Sequence, residues 1–261
     1  MTARIIYIAV TLVIALCCCS GDVSAAPWAV SEDFNGPAGS VPNQAYWTNL
    51  SGNGVDEGIE YYVPSNAFLD GQGHLVIQAV QNGDGYTSGG VTTKNKLSLG
   101  YGTISARIKM PSGQGLWPAF WLVGADQDTT PWPQCGEIDI VELVSNASTY
   151  YTTIHGPMNG NPNTSQGTLQ AQFAGPIADL STDFHNYWVT RMPDRITVGI
   201  DAKTLGTFTP QSLPPDAQWV YNRPMYAILN LAIGGSWAGP PDGSTHFPAA
   251  MIVDWFRWDP V

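Results

Sequence analysis

The sequence predicts an all-β fold, a sandwich or a barrel, on three observations. Short runs rich in β-branched and aromatic residues recur along the chain; in residues 103–110, apolar and polar side chains alternate cleanly. Clusters of Gly, Pro, Asn and Asp separate these runs and draw on 28 glycines and 20 prolines. No long stretch carries a 3.6-residue apolar period, and residues 176–183 are expected to hold a short helix at most.

The chain opens on an expected export signal. Arg4 supplies a positive start, residues 5–19 form an apolar run too short for a membrane span, and Val23-Ser24-Ala25 reads as a cleavage site. Cleavage after Ala25 leaves residues 26–261 as one expected domain, since the chain has no internal repeat, low-complexity tract or linker. Lipid anchoring at one of Cys17, Cys18 or Cys19 is the lesser alternative, because Leu16 directly before the modified Cys would be unusual. Three of the four cysteines lie in this signal, so only Cys135 remains and no intrachain disulfide can form. With no His partner visible beside it, Cys135 reads as a small buried hydrophobe.

The strand candidates follow in order: residues 74–80 after the turn Asp70-Gly71-Gln72-Gly73, then 103–110, 120–123, 151–155, 187–190, 196–200, 226–233 and 251–258. The net charge is −11, and losing the signal removes one Arg and one Asp and leaves it unchanged. So acidic a chain, poor in Lys and Arg, is not expected to bind nucleic acid or anionic membranes; a neutral polymer is compatible.

The densest chemistry lies in Gly136-Glu137-Ile138-Asp139-Ile140-Val141-Glu142. Side chains alternate on a regular strand, so Glu137 and Asp139 would share one face and Glu142 the other. One extra residue near Ile140–Val141, a β-bulge, would bring all three acids to one side with Ile138 facing the core. Crowded carboxylates force their proton affinities apart, which suits glycoside hydrolysis by one ionised and one protonated acid. On these residues alone, a calcium site or an acidic edge strand fits better than catalysis.

The flanks widen the pattern. Gly115-Leu116-Trp117-Pro118-Ala119-Phe120-Trp121 precedes Trp132-Pro133-Gln134-Cys135 and the acidic strand. Together these resemble glycoside hydrolase family 16, in particular its laminarinase-like β-1,3-glucanase branch, across nearly the whole mature chain from Asp33-Phe34-Asn35-Gly36 to Val253-Asp254-Trp255-Phe256-Arg257. The resemblance implies a β-jelly-roll sandwich of two antiparallel sheets, with a concave cleft for an extended neutral β-glucan. It implies Glu137 as nucleophile, Glu142 as general acid/base and Asp139 tuning the charge between them, with no cofactor for catalysis. Trp117, Trp121, His155, Asn230 and Trp237 match substrate-side positions of the family, with Trp132 a further candidate, and the ten tryptophans suit stacking on sugar rings. Asp33 and Asp254 match positions that hold a structural calcium in many members, equally readable as surface acids. The protein is expected to be a secreted monomer.

Two positions depart from the family pattern. Its Asn-Asn-Glu before a Tyr-Tyr pair is replaced by Gly54-Val55-Asp56-Glu57-Gly58-Ile59-Glu60 before Tyr61-Tyr62, and Thr103 stands where many relatives carry Arg. Both are expected to alter cleft contacts. Asn49, Asn146 and Asn163 begin glycosylation sequons. The resemblance leaves open hydrolysis of mixed-linked glucan or galactan, transglycosylation, or non-catalytic glucan binding.

Overall fold

A computed structural model describes residues 29–54, 57–159 and 168–261. The export signal, Asp56 and the Asn163 sequon lie outside the described residues. Among the described residues the fold comprises eighteen strands, one short α-helix and 3-10 turns at Pro64–Asn66 and Pro210–Ser212. In chain order the strands are β1 Val30–Glu32, β2 Thr48–Asn49, β3 Gly52–Asn53, β4 Glu60–Tyr62, β5 Ala67–Leu69, β6 Leu75–Asn82, β7 Gly85–Ser88, β8 Gly90–Thr92 and β9 Gly102–Lys109. They continue with β10 Leu116–Gly124, β11 Glu137–Glu142, β12 Thr149–Pro157, β13 Thr168–Pro176, β14 His185–Met192, β15 Arg195–Ile200, β16 Lys203–Phe208, β17 Met225–Ile233 and β18 Ala249–Pro260. The helix, α1, is Gly235–Ala238.

Two sheets pack face to face. The eleven-stranded sheet runs β16-β15-β14-β9-β18-β6-β7-β4-β3, with β1 on β18 and β5 on β6; the seven-stranded sheet runs β13-β12-β11-β10-β17-β8-β2. Pairing is antiparallel except between β4 and β7. Alternation along each strand sends one set of side chains between the sheets. Leu116, Phe120, Leu122, Ile138 and Ile154 come from the seven-stranded sheet, and Ile77, Ile104, Ile108, Val253 and Phe256 from the other. The intervening residues of the seven-stranded sheet face outward and form the floor of the cleft.

Several expectations change here. Residues 177–184 form bends and turns, not a helix. Thr103 lies on β9 of the eleven-stranded sheet and pairs its hydroxyl with that of Thr190 at 2.8 Å, while Ile104 beside it enters the core. Its side chain is therefore on the outer face of the sheet opposite the cleft, and no cleft contact is lost with the missing Arg. Asp33 is ion-paired to Arg257, and Asp254 to Arg107 at 2.5 Å. Each of the two carboxylates is thus engaged through one oxygen by a guanidinium group. The Asn49 amide nitrogen donates to the carbonyls of Pro64 and Ala67, both at 2.7 Å.

One buried cation ties the loops at an end of the sandwich. Arg191 on β14 is 1% exposed. Its Nη1 donates to the carbonyls of Leu99 (3.0 Å) and Gly100 (3.1 Å), and its Nη2 to those of Tyr221 (2.8 Å) and Arg223. Burial presses its pKa down to about 10, but it remains charged at neutral pH.

Candidate active site

β11 carries the acids because its β-branched residues favour a strand and its ends are forced. Gly136, just before it, has φ of 79°, and a β-carbon there would lie 2.9 Å from Val220. Along β12, Asp139 pairs with Thr153 and Glu142 with Tyr151, so Ile140 and Val141 together face Thr152. Along β10, Val141 pairs with Phe120 and Asp139 with Trp121, which leaves Ile140 as the extra residue. The Thr152 hydroxyl takes up the Asp139 carbonyl at 2.8 Å where the ladder is broken. Ile138, Ile140 and Val141 are all in the core. Glu137, Asp139 and Glu142 share the opposite face, the arrangement that the bulge was expected to give.

His155 sits directly across from Glu137. Its Nε2 lies 3.2 Å from Asp139 Oδ2 and 3.9 Å from Glu137 Oε1. Ligand atoms of Glu137, Asp139 and His155 fall within 4.8 Å of one another, which makes this the metal-competent grouping among the described residues as well. Below it, the Tyr221 ring packs under Gly136 and Gly156. Burial, reinforced by the Asp139 and Glu137 charges, holds the Tyr221 phenol far above its ordinary range, so it stays protonated.

Aromatic rings wall the cleft. Trp117 donates its indole N–H to Glu142 Oε1 at 2.9 Å. Trp237, 41% exposed on α1, meets Trp117 and Tyr151 edge-on, with centroids 5.1 and 4.8 Å away. Trp132 is 45% exposed and lies 6.2 Å from the His155 ring. Trp121 shares the face of Trp117 but packs on Val123, Cys135, Tyr226 and Ile228, so it both lines the floor and belongs to a small apolar cluster. Asn230, expected to bind substrate or backbone, instead bridges two side chains, accepting from Trp121 Nε1 at 2.8 Å and donating to Tyr62 at 2.9 Å.

Sequence reasoning passed over several residues of this face. Tyr151 and Thr153 stand level with Glu142 and Asp139. Gln172, level with Thr153 on β13, donates to the Thr153 hydroxyl at 3.0 Å. Glu57, one proposed replacement for the family's Asn, is exposed at a turn with φ of 64°.

Cys135 is 1% exposed. Burial first, and then the Asp126 and Glu137 charges, push its thiol up to about 11. Little nucleophilic thiolate therefore exists near neutrality. Iodoacetamide at about pH 8 is expected to leave the native protein unmodified and to alkylate Cys135 fully once denaturant opens the fold, as read by mass spectrometry.

Comparisons with known proteins agree with this geometry. The sequence profile of glycosyl hydrolases family 16 matches residues 55–257. A beta-glucanase from Rhodothermus marinus is 31% identical over 88% of this chain and 84% of its own length. A glucan endo-1,3-beta-glucosidase A1 from Niallia circulans is 33% identical over 66% of this chain but only 26% of its own length. The laminarinase catalytic domain from Thermotoga maritima superposes with a TM-score of 0.79 at 32% identity, covering 90% of this chain and 98% of that domain.

Proposed function

The chain belongs to glycosyl hydrolase family 16, and from that premise we propose that it is a secreted endo-β-1,3-glucanase that cleaves laminarin-like glucan with retention of configuration. The observation that carries this reading is the bulged β11, which sets two glutamates and an aspartate on one face between tryptophans. A tryptophan-lined floor in a chain with only 12% charged residues suits a neutral polymer. The β-1,3 linkage is supported by the laminarinase and the endo-1,3-glucosidase among the similar proteins.

In this reading Glu137 attacks the anomeric carbon while Glu142 protonates the departing glycosidic oxygen. Glu142 then takes a proton from the water that releases the glycosyl-enzyme. The Trp117 N–H on Glu142 Oε1 favours placing the carboxyl proton on the other oxygen, and so orients the acid. Asp139, beside Glu137 on the same strand and 3.2 Å from His155 Nε2, tunes the charge of the nucleophile before it attacks. No step needs a metal or an organic cofactor.

The test is release of reducing sugar from laminarin, with mixed-linked β-glucan and agarose alongside and Glu137→Gln as control. Release from laminarin by the wild type alone is expected. Preferential release from another polymer would overturn the β-1,3 assignment and keep the mechanism. Binding of laminarin with no release from any polymer would overturn hydrolysis itself.

A further inference from the structure

Glu60 is a carboxylate in an unusual place. It is 3% exposed, and among the described residues it forms no ion pair with Lys, Arg or His. Burial holds its pKa above the ordinary carboxylate value. The Gly54 backbone presses so closely upon it that a β-carbon at 54 would lie 2.3 Å from Oε1. Isolated buried acids are costly unless hydrogen bonds reach them; here Oε2 accepts one from the backbone, while Oε1 is buried with no hydrogen-bond partner among the described residues.

Two branches end on this side chain. In the first, Trp121 Nε1 donates to Asn230 Oδ1, Asn230 Nδ2 donates to the Tyr62 oxygen, and the Tyr62 hydroxyl lies against the Glu60 carboxylate. In the second, Glu60 Oε2 accepts the N–H of Ile233 at 2.9 Å. Ile233 is the last residue of β17, and the Gly234–Gly235 turn and Trp237 follow it directly. Ile59 N–H returns to the Ile233 carbonyl at 2.9 Å, and Gly58 bridges Gly234, so the segment around Glu60 is laced to that turn.

All the donors point the same way. The Tyr62 hydroxyl, which accepts from Asn230, keeps its own proton to donate, and the Ile233 N–H needs an acceptor at the same spot. The Glu60 carboxyl group offers acceptor oxygens to both; a glutamine amide would turn two N–H donors toward at least one of them.

We propose that Glu60 is a positioning residue for substrate binding: as the shared acceptor, it orients the Trp121 indole and the Trp237 turn, and so sets affinity for the sugar units beside the catalytic acids. This rests on the glucanase reading above.

The test uses Glu60→Gln and Tyr62→Phe, with KM and kcat on β-1,3-glucan oligosaccharides of increasing length and with melting temperature and acrylamide quenching of tryptophan fluorescence alongside. Glu60→Gln is expected to raise KM about three- to tenfold, as losing one or two hydrogen bonds would, with kcat within about twofold. The increase should grow with oligosaccharide length, and quenching should rise. Tyr62→Phe, which cuts the Trp121 branch alone, should act in the same direction and less. The double variant should fall short of the product of the two, because they share a path. A KM within about twofold of wild type in Glu60→Gln at unchanged melting temperature would overturn the inference. So would equal loss of kcat and KM performance tracking a lower melting temperature in both variants. Should the wild type cleave no glucan, the functional reading fails by itself, and the quenching comparison still decides whether Glu60 orients the tryptophans.

Discussion

Glu142→Gln will lower kcat on glucan by about 10²–10⁴-fold, the usual worth of a positioned proton donor. Two further results separate this from general damage. A substrate with a good leaving group needs no protonation, so its first step should survive and the glycosyl-enzyme should accumulate. Azide attacks that intermediate without a general base, and added azide should restore turnover and give a glycosyl azide of the substrate's own configuration. In Glu137→Ala, by contrast, azide can only enter where the nucleophile stood and should give the opposite anomer. The Trp117 bond to Glu142 Oε1 makes the native fold a fair control, since glutamine offers the same acceptor at that oxygen.

Arg191→Leu will cost about 3–5 kcal/mol of stability, because it strips the donors from four backbone carbonyls in or near the core. For a domain of this size that is a fall in melting temperature of roughly 6–20 °C, measured by calorimetry. Arg191→Lys should lose less but not nothing, because a single ammonium cannot span both carbonyl pairs as the planar fork does. The loss should reach the active site as well. Arg191 holds the Tyr221 backbone, and the Tyr221 ring supports Gly136 and Gly156, which adjoin Glu137 and His155. Residual activity should therefore decline with temperature before global unfolding is complete.

What could be read from the sequence was local. The bulge could be inferred because Glu137, Asp139 and Glu142 disobey a two-residue period by one place, and β9 because residues 103–110 keep that period. β13 escaped because its outward face carries Gln170, Gln172, Ala174 and Pro176 while its inward face uses Ala171 and Gly175 beside Leu169 and Phe173, so apolar contrast is weak. Thr103 could be aligned with a family position but not assigned to a sheet, and only the pairing of β9 with β14 and β18 shows that it faces away from the cleft. Asn230 was seen to need a partner, but that partner, Tyr62, is 168 positions away, and Glu60 and Ile233 are 173 apart. Contacts of such sequence separation follow from sheet order, which no local pattern encodes.

The extra residue at Ile140 also bears on how such a chain can change over evolutionary time. Deleting either Ile140 or Val141 would restore strict alternation and still leave the last glutamate on the face of the first, so the reactive trio tolerates a one-codon gain or loss at this point. The difference would be felt behind the strand, where one buried aliphatic side chain would stand in place of two. Length variation here thus reshapes the packing between the sheets while the reacting groups keep their side, which allows lineages to diverge by insertion without passing through an inactive ancestor.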